Sequence, residues 1–289
     1  MILLRYGDQS ANIALVGAEL KAYQKAKQQF IWPGDAKWWS YSAPLLFPIV
    51  GKLPGGQISH EGRVLQQPQH GFARLSQFAV VEQAPSWVEL VLQASEATRP
   101  DYPFEFELRV RYTLQPSGLQ QDVWVKNAGV ASMPASFGFH PAFLWPMRSG
   151  RADQQSGHWL EFESPQSTQV ARLDAQGALI PNAHASPLQG ARLILDASLF
   201  KPSAVIFETI QGQSVTFGDA LGPLLRMHWS GCQQFAIWCP PGAPFVCLEP
   251  WHGLAAPAGF AGVLAEKPGG FMLPSGASRQ FGLQIIPSQ

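Results

Sequence analysis

Charge is the first thing this sequence is short of. Charged residues make up 14 % of its 289 positions, against roughly 25 % in ordinary soluble domains. Lys plus Arg and Asp plus Glu are 20 each, so the formal net charge is zero. That balance removes the long-range attraction on which binding to nucleic acid or an anionic membrane depends. Cysteine is sparse and odd in number: Cys232, Cys239 and Cys247. Three widely spaced thiols make neither a disulfide framework nor a paired zinc knuckle. They read as reduced, mostly buried small residues. No apolar run approaches the roughly 18 residues of a membrane-spanning helix. The most apolar stretch, Ala43 to Val50, is broken by Pro44 and Pro48. Met1 to Ser10 carries Arg5 and Asp8 around a very short apolar run and does not read as a secretory signal. These absences point to a soluble protein of a reducing compartment, with the cytoplasm as the expected location.

Several chemistries are missing too. There is no phosphate-cradling glycine loop ahead of a helix and no G-x-S-x-G elbow. No His-x-x-x-His or Cys-x-x-Cys pair offers a metal site, so no metal is expected. A glycosidase needs two placed carboxylates, and only one acid here has a special setting. What is present instead is aromatic and turn-forming: 18 Phe, 10 Trp, 27 Gly and 25 Pro, with 46 % hydrophobic residues. That content excludes disorder and allows a large core.

The clearest element is Tyr102 to Leu114. Phe104, Phe106, Leu108, Val110, Tyr112 and Leu114 alternate with Glu105, Glu107, Arg109, Arg111 and Thr113. Period two predicts a long strand with one buried face. Gln115-Pro116-Ser117-Gly118 has turn composition, and Leu119 to Lys126 alternates again, which predicts an antiparallel hairpin. Trp87 to Gln93 and Gln280 to Ile286 are also strand-like. Ala204 to Ile210 and Ser214 to Phe217 flank Gln211-Gly212-Gln213, a second hairpin signal. Phe235 to Cys239 and Phe245 to Glu249 flank a Pro- and Gly-rich turn, a third. Gly17 to Gln29 is rich in helix-favouring residues but lacks an amphipathic face, so it reads as strand plus exposed loop. Short strands and frequent turns predict an all-β chain, a sandwich or barrel, in one domain over 1–289.

Three histidines and one acid stand in dense Gly, Pro and aromatic surroundings: His70, His140, His252 and Glu249. His70 opens His70-Gly71-Phe72-Ala73-Arg74, where an imidazole and a guanidinium could face one ligand; the spacing equally allows a core histidine with a surface arginine. His140 sits in Phe137-Gly138-Phe139-His140-Pro141-Ala142-Phe143. Its phenylalanines make a partly desolvated place where an imidazole pKa is tunable, and Pro141 biases it to extended backbone. Glu249 lies in Phe245-Val246-Cys247-Leu248-Glu249-Pro250-Trp251. A carboxylate in so apolar a run is costly unless paired or used; an acid bonded to a buried backbone N–H is the bland alternative.

In order along the chain, Leu45-Leu46-Phe47-Pro48-Ile49-Val50-Gly51-Lys52, His70-Gly71-Phe72-Ala73-Arg74, Tyr102-Pro103-Phe104, Phe137 to Phe143 and Leu248-Glu249-Pro250-Trp251 resemble the aldose 1-epimerase (galactose mutarotase-like) superfamily. Within it they resemble the bacterial branch associated with lactose operons. The resemblance spans nearly the whole chain. It implies an antiparallel β-supersandwich and a cofactor-independent isomerase that interconverts sugar anomers. Carried over motif to motif, Glu249 would be the general base and His140 the general acid, with His70 on the sugar and Arg74 on a phosphate if there is one; Lys52 would act locally. The family's sugar-binding Asp falls where this chain has Ser203, with Asp219 as another candidate, while Trp251 and Trp145 could stack on sugar or pack in the core. The implied partner is a sugar or sugar phosphate bound by a monomer or homodimer. A non-catalytic carbohydrate-binding protein, or an oligosaccharide lyase or hydrolase, would use the same scaffold.

Overall fold

The computed structural model describes residues 1–148 and 154–288. Among these residues there is no α-helix, only short 3-10 turns, and therefore no helix long and apolar enough to cross a membrane. The alternation at the chain's centre forms the expected hairpin. Phe106–Gln115 pairs antiparallel with Gly118–Asn127, and Gln115 sits opposite Gly118, so Pro116 and Ser117 make a tight turn. Phe106, Leu108, Val110, Tyr112 and Leu114 are all buried. The strand begins at Phe106 rather than Tyr102. Pro103 has no N–H for a ladder, and Tyr102 turns inward, its hydroxyl donating to the Pro134 carbonyl at 2.8 Å.

This hairpin supplies the sixth and seventh strands of a nine-stranded sheet among the described residues. Its order is Arg192–Ile194, Trp159–Phe162, Ser214–Asp219, Gly222–Ser230, Ser278–Pro287, Gly118–Asn127, Phe106–Gln115, Trp87–Gln93 and Ala79–Ala84. An eight-stranded sheet faces it. Its order is Leu179–Ala185, Gln169–Leu173, Val205–Phe207, Gln234–Trp238, Phe245–His252, Phe137–Phe139 and Leu45–Leu46, with Ala142–Leu144 also against Phe245–His252. Alternate residues of both sheets meet between them: Val110, Val123 and Phe281 from one, Phe137, Phe235, Ile237, Val246 and Leu248 from the other. The Phe137 and Phe281 ring centroids are 4.5 Å apart across the gap. Each such fully buried side chain contributes about 1.5–3 kcal/mol of transfer free energy.

Two expectations meet different outcomes. The hairpin across Gln211-Gly212-Gln213 is not formed. Val205–Phe207 pairs with Gln234–Trp238 in the eight-stranded sheet, whereas Ser214–Asp219 pairs with Gly222–Ser230 in the nine-stranded one. Val205, Ile206 and Phe207 are all buried. A strand apolar on both faces needs cover on both, which a half-solvated hairpin does not provide. Gly17 to Gln29 does become strand and turn. Leu20–Lys25 and Gln28–Gln29 join Ile2–Tyr6 and Gln9–Ile13 in a small sheet, and burial of Leu20 and Tyr23 outweighs the local helix preference.

The outer face of the eight-stranded sheet is also apolar. Leu46, Ala171, Ile206, Ala236 and Trp251 form a second, smaller cluster there. This covered face holds the site.

Candidate active site

The strand pairings place His140 and Glu249 opposite one another. Gly138 pairs with Trp251, and Ala142 pairs with Cys247. Both pairs belong to one register, and His140 opposite Glu249 is the position midway between them. The ladder opens at that point because Pro141 and Pro250 follow the two residues and neither has an N–H to give. The interruption leaves both side chains on the outer face of the sheet. His140 Nε2 lies 3.0 Å from Glu249 Oε2. The pair is 7 % and 1 % exposed respectively. Neither Glu249 Oε2 nor His140 Nδ1 has an aligned hydrogen-bond partner.

Small neighbours make the room. Ala236 flanks Glu249 on the other side, Ala142 sits beside Cys247, and Gly138 lies against Trp251, where a Cβ would come within 2.6 Å of the indole. Aromatic walls close the space. Trp39 lies across the His140 imidazole, with centroids 4.7 Å apart at 30°. Trp238 meets the same ring edge-on at 6.0 Å and 89°. The result is a cavity of about 140 Å³ with His140, Glu249, His70, Arg74, Lys52 and Trp251 among its walls.

Burial acts on the acid and the base in opposite directions. Desolvation pushes the Glu249 carboxyl well above the usual carboxylate range, with the neighbouring Trp251 side chain opposing it. Desolvation also pushes His140 down to about 3, and the Arg74 cation adds to the shift. Both groups are thus driven towards their uncharged forms. At 3.0 Å their titrations are coupled.

His70 is held rigidly. Its φ is +66°, a left-handed conformation unusual for a residue other than glycine. Its N–H donates to the Gly51 carbonyl at 2.8 Å, and Gly51 N–H donates back to His70 Nδ1 at 3.1 Å. An accepting Nδ1 places the ring proton on Nε2. Desolvation first, then His140, Arg74 and Lys267, hold His70 well below the ordinary histidine range, so it stays neutral and can donate. Lys267 fastens the same region from below. Its buried Nζ donates to the Val50 carbonyl at 2.7 Å and to the Leu254 carbonyl. Burial brings its pKa down to about 7. Arg74 Nη2 donates to the Gln69 carbonyl at 2.9 Å, and its guanidinium sits 4.8 Å from the Tyr41 ring centroid. Lys52 is exposed at the rim.

The structure therefore brings His140, Glu249, His70, Arg74 and Lys52 to one cavity. It does not bring Ser203 there. The Ser203 hydroxyl accepts from Leu173 N–H at 2.8 Å and is absent from the cavity wall. Asp219 pairs with Arg148 at 2.8 Å and accepts from Leu221 N–H, also away from the cavity. Trp145 is a core residue whose indole donates to the Gln155 carbonyl. His252 is buried, its Nδ1 3.0 Å from the Gly231 carbonyl. The sequence reading missed Trp39, Trp238 and Lys267. The run Trp38-Trp39-Ser40-Tyr41 was a usable signal, since so many aromatics in a polar loop need something to cover.

A family model described as Aldose 1-epimerase matches residues 1–200. Two curated relatives from Lactococcus lactis subsp. lactis, the plasmid and chromosomal forms of Protein LacX, are each 29 % identical over 252 residues, covering 83 % of this chain and 83 % of the relative. Among solved structures, a galactose mutarotase-like protein from Lactobacillus casei has a TM-score of 0.89 at 29 % identity, covering 100 % of both chains. A galactose mutarotase related enzyme from Lactobacillus acidophilus has a TM-score of 0.90 at 27 % identity, covering 100 % of this chain and 97 % of that one.

Proposed function

The chain belongs to the aldose 1-epimerase family, and from that premise we propose that it interconverts the α and β anomers of a hexose or hexose phosphate by acid–base ring opening, with no cofactor. The observation that carries this reading is the isolated His140–Glu249 pair, 3.0 Å apart on the cavity floor. Anomer exchange needs one group to take a proton from the C1 hydroxyl while another gives one to the ring oxygen. A buried carboxyl and imidazole at this separation supply both.

In the ion-pair form of that unit, Glu249 accepts the C1 hydroxyl proton and His140 protonates the ring oxygen. The C1–O bond to the ring breaks, leaving the open-chain aldehyde. Rotation about C1–C2 presents the other face of the carbonyl, and the two transfers reverse as the ring closes. Each positioned transfer contributes on the order of 10² to 10⁴ in rate. Trp39 lies against the imidazole face, where its π-system favours the imidazolium that must form. His70 Nε2–H donates to a sugar hydroxyl. Arg74 and Lys52 outnumber the single acid among the cavity walls, which suits a phosphate on the sugar. Trp251 offers an apolar surface to one sugar face.

The test is exchange spectroscopy on anomer mixtures of glucose, galactose and their 6-phosphates. Catalysed exchange that is lost in both His140→Ala and Glu249→Gln supports the reading. Exchange unchanged in those variants overturns it. Saturable sugar binding without exchange would make the protein a binding module.

A further inference from the structure

Three ligand-type atoms converge at the His140–Glu249 pair, two of them from residues of the cavity wall. A ring nitrogen of His140, the Cys247 sulfur and a carboxylate oxygen of Glu249 all lie within 4.8 Å of one another. The sheet explains the grouping. Cys247 and Glu249 are two positions apart on one face of Phe245–His252, and His140 stands across from Glu249. Cys247 is fully buried, flanked by Ala142 and Trp238.

The chemistry of this set is distinctive. Imidazole, thiolate and carboxylate are the donors of open three-ligand zinc sites, with metal–ligand lengths of about 2.0–2.3 Å. Tetrahedral geometry then requires donor atoms about 3.3–3.6 Å apart. The His140–Glu249 separation of 3.0 Å is close to that spacing, and the Cys247 sulfur lies within 4.8 Å of both ligand atoms. Glu249 Oε2 is 1 % exposed as a residue and has no aligned donor, so a lone pair is available where the ion would sit. Two of the three donors, His140 and Glu249, line the cavity.

We propose that the side chains of His140, Cys247 and Glu249 form a latent site for a thiophilic divalent cation of the zinc or cadmium type, and that its occupation inhibits the protein. On binding, the thiol and the Glu249 carboxyl each release a proton to solvent, and the imidazole binds in its neutral form. Acid and base are then both tied to the metal and neither can move a proton. Magnesium, which demands oxygen ligands and octahedral geometry, does not fit one sulfur, one nitrogen and one carboxylate. The inhibition rests on the acid–base reading of the pair, whereas the binding does not.

The experiment is titration of the purified protein with Co²⁺ as a spectroscopic substitute for zinc. A thiolate-to-cobalt charge-transfer band saturating at one ion per chain is expected, displaced by Zn²⁺ and untouched by Mg²⁺. Cys247→Ala should lose the band. It should also lose at least about tenfold in Zn²⁺ affinity, more than 1.4 kcal/mol, while anomer exchange itself persists. No band in the wild-type protein, an unchanged band in Cys247→Ala, or equal inhibition by Mg²⁺ overturns the proposal. If Cys247→Ala does not fold, His140→Ala must weaken the band instead. A protein that binds cobalt through Cys247 but catalyses no exchange would overturn the epimerase reading and leave the metal site standing.

Discussion

The two large sheets share a core and treat their outer faces in opposite ways. On the nine-stranded sheet, Glu89, Glu107, Arg109 and Arg111 face solvent. Arg109 pairs with Glu89 at 2.8 Å and with Glu107 at 2.7 Å, and Arg111 lies 4.0 Å from the Trp87 ring centroid. Each charge there has a partner and water. On the eight-stranded sheet the corresponding face is apolar and aromatic, and its acid and base are almost fully desolvated. Wet, paired charges of the first kind are worth about 0–1 kcal/mol each. Desolvated ones of the second kind are costly to keep ionised. Charge kept at a place where burial perturbs it supports the proposal that chemistry is done on this face.

The sharpest way to break that contrast is Glu249→Gln. Exchange should fall by about 10² to 10⁴, yet the protein should melt higher than wild type at neutral pH. The sign follows from burial. The folded-state pKa of Glu249 lies above its unfolded value, so the folded state holds the proton longer and stability declines as pH rises beyond the ordinary carboxylate range. Removing the carboxylate removes that decline, and the difference in melting temperature should shrink as pH is lowered into that range. A variant less stable than wild type at neutral pH would mean Glu249 is a structural acid after all.

The pH profile comes next. His140 is held down to about 3 and Glu249 is pushed up, so the imidazole does not titrate in its ordinary range. Catalysed exchange should therefore show no inflection in the ordinary histidine range near 6.5. A clear inflection there, lost in His140→Ala, would show that the pair is more solvated than its packing indicates. For the same reason His140 subtracts from stability as pH falls from 6.5 towards 3, because the unfolded chain takes up the proton first.

Smaller effects separate binding from chemistry. His70→Ala should raise KM by about tenfold, the loss of one hydrogen bond to substrate, with kcat much less affected. Equal losses in kcat and kcat/KM would instead place His70 in the transition state. Trp39→Leu should slow exchange by about threefold to tenfold, as expected for roughly 1 kcal/mol of aromatic stabilisation of the imidazolium. Its His140 should titrate lower by NMR than in wild type. The smallest effect belongs to the other face: Glu89→Gln should change unfolding free energy by no more than about 1 kcal/mol and leave exchange unchanged.

The strand pattern was largely legible because period-two alternation is a direct record of one wet and one dry face, as in Phe106 to Leu114. It failed at Ala204 to Phe217, where strands apolar on both faces belong to different layers and proximity in sequence misled. His140 and Glu249 stood out through their apolar, aromatic surroundings, whereas their proposed acid–base roles came only from the family resemblance. Ser203 was not legible. Whether its hydroxyl faces a ligand or accepts from the Leu173 backbone N–H depends on how two distant strands lie together. Trp39 and Lys267 reach the site through loop packing, which leaves no periodic trace.

The measurement that goes most directly to the central claim is exchange spectroscopy of anomer mixtures at neutral pH, with wild-type protein and Glu249→Gln compared at equal concentration and equal foldedness. Catalysed α/β exchange of at least one sugar by the wild type, falling by about 10² or more in the variant, is the expected result. Exchange at the same rate in both would contradict it: the desolvated carboxylate on the eight-stranded sheet would then play no part in the chemistry.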